Sequence, residues 1–155
     1  MSGSPPPSMR STPGLLPPRT PAVPVVPAHW SLPAGPASVS RARRAVSQGL
    51  PDGCPPRLAA DLTLLVSELV TNAVRHGTRP GEEEVIEVVL WPSDGHYWLA
   101  VSDPGSRMPA LAAPGPGACG GRGLVLVDAL SAVWAVVPRR TCGKTVVAGV
   151  PLLGG

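Results

Sequence analysis

Ser67-Glu68-Leu69-Val70-Thr71-Asn72-Ala73-Val74-Arg75-His76-Gly77 sets an acid and an amide four residues apart within an apolar helical pattern. Leu58, Leu62, Leu65, Val66, Leu69 and Ala73 keep the i, i+4, i+7, i+8, i+11, i+15 rhythm of a helix packed on a core. Glu68 and Asn72 fall beside that stripe, stacked one turn apart on its flank, where side chains can face a pocket while the helix stays anchored. A carboxylate and a carboxamide held in this way suit magnesium and proton chemistry. Taken alone, the pair also reads as a solvated helix flank. The helix is expected to start near Pro55 or Pro56, where proline is tolerated in a first turn, and to run to His76 before Gly77 stops it.

Outward from this helix the pattern alternates in kind rather than regularly. Upstream, Val39, Ala42, Ala45, Val46 and Leu50 predict a helix from Ala37 to about Leu50, with Gly49 and Pro51-Asp52-Gly53 ending it. Ala28 to Leu32 is short, extended and bounded by prolines, which permits an edge strand but not a central one. Downstream, Glu84 to Trp91 and His96 to Ser102 are β-rich and joined by Pro92-Ser93-Asp94-Gly95, which has hairpin-turn chemistry. Asp103 to Gly121 is dominated by Gly, Pro and Ala and reads as a lid. A helix from Arg122 to about Ala132 and strands at Val133 to Val137 and Lys144 to Val150 follow. The predicted class is α+β: a two-layer sandwich whose mixed, mostly antiparallel sheet is covered on one face by about three helices.

Composition narrows the function classes. Eleven of the 22 prolines fall in the first 36 residues, so residues 1–24 read as a disordered Pro-rich tail and residues 25–155 as one domain. The net charge of +3 rests on scattered arginines, and Arg41, Arg43 and Arg44 fit a solvated helix face better than a nucleic-acid patch. With aromatics at 3% and no Phe, stacking platforms for single strands are not expected. No apolar run approaches the roughly 18 residues of a membrane span, and no hydrophobic leader is recognisable, so a soluble, cytoplasmic protein is expected. Cys54, Cys119 and Cys142 are far apart and form no C-x-x-C pair, which points to reduced thiols rather than disulfides or zinc.

Three glycine-bearing sites invite comparison, because glycine exposes backbone N–H groups to phosphates. Gly143-Lys144-Thr145 has the letters of a P-loop end, yet the required earlier glycine falls on Pro138 and no helix is predicted to follow. Gly115-x-Gly117-x-x-Gly120 follows a proline-rich loop rather than a strand, against a dinucleotide fingerprint. Gly120-Gly121-Arg122-Gly123-Leu124 is different: it lies where the lid enters a helix N-terminus, a natural phosphate site. Ahead of it, Asp103-Pro104-Gly105 ends a predicted strand, where a carboxylate can accept a hydrogen bond from a ring amino group.

In this order, Glu68-Leu69-Val70-Thr71-Asn72-Ala73-Val74-Arg75-His76-Gly77, Asp103-Pro104-Gly105 and Gly121-Arg122-Gly123-Leu124 resemble the N box and two glycine boxes of the Bergerat-fold (GHKL) ATPases. Within that superfamily they resemble the serine kinase anti-sigma factors and their histidine-kinase-like relatives, over about Trp30 to Leu152. The resemblance implies ATP and Mg²⁺ as ligands. It casts Asn72 as the Mg²⁺ ligand, Glu68 as the base acting on a serine hydroxyl, and Asp103 as the reader of the adenine amino group. It implies that Gly105 allows close approach, that Gly121, Arg122, Gly123 and Leu124 wrap the phosphates, and that Thr145 supports the adenine subsite. The implied activity is a serine/threonine protein kinase that phosphorylates an anti-sigma-factor antagonist and sequesters a sigma factor, with no direct nucleic-acid or membrane partner. A homodimer is in keeping with the family. The alternative is an ATP-binding adaptor that regulates a partner by binding only.

Overall fold

The computed structural model describes residues 26–79, 83–105, 121–140 and 142–152, with residues 121–124 described by their backbone only. The predicted tail, residues 1–24, and most of the predicted lid, residues 106–120, lie outside the described residues. The elements in chain order are β1 (Ala28–Pro33), α1 (Ala37–Gly49), α2 (Pro56–His76), β2 (Val85–Ser93), β3 (His96–Asp103), α3 (Gly121–Leu130), β4 (Val133–Pro138) and β5 (Lys144–Pro151). The strands form one sheet in the order β1-β2-β3-β5-β4. Every ladder among the described strands is antiparallel, so the expected mostly antiparallel sheet is antiparallel throughout. β1 takes the edge that its flanking prolines require.

The period of two in each strand puts one set of side chains under the helices. Leu32 on β1, Ile86, Val88 and Leu90 on β2, Leu99 and Val101 on β3, and Val146, Ala148 and Val150 on β5 are buried there. Against them α2 lays Leu58, Leu62, Leu65, Val66, Leu69, Val70 and Ala73, all at most 6% exposed, which makes it the central helix of the layer. Burying side chains of this size contributes roughly 1.5–3 kcal/mol each before ordering costs. α1 adds Ala42 and Val46, and α3 adds Val127 and packs against α2. Ser38, buried at the start of α1, donates its hydroxyl to the Pro33 carbonyl and so ties the helix entry to the end of β1.

The chain reversals carry their own logic. The β2–β3 hairpin is tighter than the four residues expected: Ser93 pairs with His96, and Asp94 (φ 51°) and Gly95 (φ 73°) alone make the turn. Two consecutive left-handed residues match the twist of the flanking strands, which is why Asp-Gly serves here. α2 starts at Pro56, with Pro55 before it, where the missing N–H has no intrahelical partner to lose.

Candidate functional site

The C-terminal half of α2, the end of β3 and the start of β5 converge at one end of the sheet. Along α2, Thr63, Ser67 and Thr71 return their hydroxyls to the carbonyls four residues earlier, and Thr78 does the same to Val74 just past the helix end. These hydroxyls are thus satisfied within their own chain segment. Glu68 and Asn72, half-buried on the same helix, are different: neither makes a side-chain hydrogen bond or ion pair among the described residues. The helix therefore offers one carboxylate and one carboxamide, a turn apart, with their polar atoms uncommitted. Arg75 and His76 are exposed in the last turn, where positive charge complements the helix dipole.

At the end of β3, Asp103 is 2% exposed. Its Oδ1 accepts the Gly105 backbone N–H at 2.9 Å and Lys144 Nζ at 3.0 Å. Its Oδ2 accepts nothing from the described residues. Three glycines make this packing feasible. A Cβ on Gly77 would stand within 2.6 Å of every carboxyl atom of Asp103, and one on Gly105 would lie 2.5 Å from the Gly77 Cα. Gly143 turns the chain into β5 at φ +92°, and a Cβ there would meet the Pro104 Cα at 2.8 Å. Gly77 has φ −105° and ψ −1°, a conformation open to any residue. Its place after His76 marks a helix stop, and the structure adds a steric reason for glycine, because the Asp103 carboxylate lies directly against its Cα.

The β3–β5 register separates Thr145 from its neighbour Lys144. Asp103 pairs with Lys144 and Ser102 with Thr145. Successive residues of a strand face opposite ways, so Lys144 joins Asp103 on the helix-covered face while Thr145 lies on the other face. There the Thr145 hydroxyl is 2.7 Å from the Ser102 hydroxyl. Thr145 therefore faces away from the Asp103 carboxylate, and the residue opposite that carboxylate is Lys144, the only lysine of the chain. Gly143-Lys144-Thr145 fails as a P-loop, as expected, and yet its lysine belongs to the site.

Gly121, Arg122, Gly123 and Leu124 form the first turn of α3, as the glycine pattern predicts, one residue earlier than the expected start at Arg122. Among the described residues no group of three His, Cys, Asp or Glu could hold a metal. A hard cation here would take an amide oxygen from Asn72 and its remaining ligands from phosphate and water, which is the coordination habit of Mg²⁺. Asp103 Oδ2 is an acceptor without a partner among the described residues, while the bare Cα atoms of Gly77 and Gly105 are covered by the Asp103 carboxylate and by the Gly77 backbone.

The model of the histidine kinase-like ATPase domain family matches residues 32–148 of this chain. Among solved structures, the histidine kinase domain of a blue-light activated histidine kinase from Erythrobacter litoralis EL346 is similar at 27% identity and a TM-score of 0.51, over 78% of this chain and 62% of that one. A longer structure of that blue-light activated kinase is similar at the same identity and TM-score, with 42% of its length covered. The chain thus spans less than two thirds of the solved kinases it resembles. No curated protein sequence matches it.

Proposed function

Since the chain belongs to the histidine kinase-like ATPase family, we propose that it binds ATP with Mg²⁺ between α2, the Asp103-Gly105 turn and the first turn of α3, and transfers the γ-phosphoryl group to a serine of a partner protein. The partner class that the boxes favour is an antagonist of an anti-sigma factor, with a sigma factor as the sequestered target. The carrying observation is the state of α2: its neighbouring hydroxyls are bonded back to the backbone, whereas Glu68 and Asn72 are left uncommitted one turn apart.

Each group has a role that follows from its chemistry. Asn72 would hold Mg²⁺ through its side-chain oxygen, and the ion would neutralise phosphate charge. Asp103 Oδ2 would accept the adenine amino group, while the Gly105 N–H holds Oδ1. Gly121, Arg122, Gly123 and Leu124 would direct backbone N–H groups of a helix N-terminus at the phosphates. Glu68 would accept the proton of the serine hydroxyl as its oxygen bonds to the γ-phosphorus. The bond from that phosphorus to the β,γ-bridging oxygen breaks, and ADP departs with the bond's electron pair. Phosphoryl transfer asks mainly for positioning and charge neutralisation, so one acid, one metal ligand and a backbone cradle suffice.

The test is transfer of labelled γ-phosphate to a candidate antagonist by the wild-type and Glu68→Gln proteins. The kinase reading expects Glu68→Gln to retain ATP binding and to lose transfer by at least about a hundredfold, the lower end of a general base's contribution. Equal transfer by both proteins removes the assigned base. ATP binding without transfer to any antagonist of this class supports the adaptor reading instead.

A further inference from the structure

Lys144 has donors that the protein does not use. Lys144 is 5% exposed, its ammonium carries three N–H groups, and among the described residues it makes a single bond, to Asp103 Oδ1. Buried donors without partners are costly, so a ligand or water is expected to take them. Beside them lies Asp103 Oδ2, an acceptor also without a partner among the described residues. A donor and an acceptor, side by side on the helix-covered face, define what can bind. The ligand edge must present an acceptor next to a donor. A phosphate presents only acceptors and would be repelled by the carboxylate.

We propose that Lys144 is a nucleobase-recognition residue that donates a hydrogen bond to N1 of adenine while Asp103 Oδ2 accepts from the adenine 6-amino group. This rests on the ATP-binding reading above and assigns the part of that site that sets base specificity. Guanine is disfavoured by the same geometry. Its edge adds a 2-amino donor that would need a second carboxylate acceptor, and Oδ1 is already occupied by Lys144 and Gly105. Reading guanine would leave that amine buried and unpaired, the kind of mismatch that discriminates strongly.

The experiment is calorimetric titration of the full chain with the Mg²⁺ complexes of ATP, 1-deaza-ATP and GTP, with Asn72→Ala as the control for the site. In 1-deaza-ATP a C–H replaces N1 and cannot accept. A hydrogen bond from a charged donor predicts that wild-type protein binds 1-deaza-ATP about tenfold or more weakly than ATP. GTP should also bind more weakly than ATP. In Lys144→Met the gap between ATP and 1-deaza-ATP should close. Should that variant not fold, the three nucleotides on the wild-type protein decide the matter. Equal binding of ATP and 1-deaza-ATP, with ATP binding still lost in Asn72→Ala, overturns the role of Lys144 and leaves the ATP site standing. GTP binding tighter than ATP, or a 1-deaza penalty that persists in Lys144→Met, also overturns it. Absence of any ATP binding overturns the nucleotide reading and this inference together.

Discussion

Gly77→Ala should destabilise the protein through one contact whose cost can be worked out from the structure. The backbone at Gly77, φ −105° and ψ −1°, accepts alanine, so conformational strain contributes nothing. The smaller entropy of an unfolded alanine would by itself stabilise by about 0.4–1 kcal/mol. Against this, the new Cβ would stand within 2.6 Å of the whole Asp103 carboxyl group, where ordinary contact begins at 3.4 Å. Asp103 has nowhere to retreat: Lys144 and Gly105 hold its Oδ1 at 3.0 and 2.9 Å, and its backbone carbonyl abuts Gly143. Overpacking costs about 1–3 kcal/mol, and loosening a hydrogen bond to a buried charge adds about 1.5–3 kcal/mol. The net expectation is a loss of about 1.5–5.6 kcal/mol, or about 3–22 °C in Tm at roughly 2–4 °C per kcal/mol for a chain of this size. Urea titration followed by tryptophan fluorescence measures it. Gly53→Ala is the control, since no atom lies within 4 Å of a Cβ there. Gly77→Ala as stable as Gly53→Ala would refute the packing of Gly77 on Asp103.

The buried ion pair and the thiol beside α2 give two further outcomes. Lys144→Met leaves the Asp103 carboxylate buried without its counter-charge and should cost about 3–5 kcal/mol, whereas Asp103→Leu combined with Lys144→Met should recover most of that loss. A double variant as unstable as the sum of the two single variants would contradict the pairing. Burial pushes the Cys54 thiol up, against a smaller lowering from the Ala59 backbone, so less thiolate is present at a given pH. At pH 8 Cys54 should be alkylated more slowly than exposed Cys142, with its rate still rising above pH 9; peptide mapping after timed alkylation checks the order.

Much of this arrangement is legible from residue types. The apolar rhythm from Leu58 to Ala73 marks α2, and Asp94-Gly95 marks the hairpin because few residues other than glycine, asparagine and aspartate adopt its backbone. The boundaries fall within a few residues of expectation because proline and glycine punctuate them. The site is less legible where it depends on long-range register. Thr145 and Lys144 are neighbours in sequence, and only the pairing of β5 with β3 decides which one faces Asp103. A clue was available in the apolar parity: aligning Leu99 and Val101 with Ala148 and Val146 on one face places Lys144 opposite Asp103. Gly77 shows the same limit. Its position after His76 suggests a helix stop, but the carboxylate that requires its bare Cα arrives from residue 103.

On the proposed reading, Asn72, Asp103 and the first turn of α3 hold a magnesium nucleotide. Calorimetric titration of ATP into the wild-type and Asn72→Ala proteins, with and without Mg²⁺, decides whether they do. The wild type should bind one ATP per chain, bind it more weakly when Mg²⁺ is withheld, and lose about tenfold or more in affinity in Asn72→Ala. No ATP binding by the wild type, or binding that is the same in Asn72→Ala, would contradict that reading.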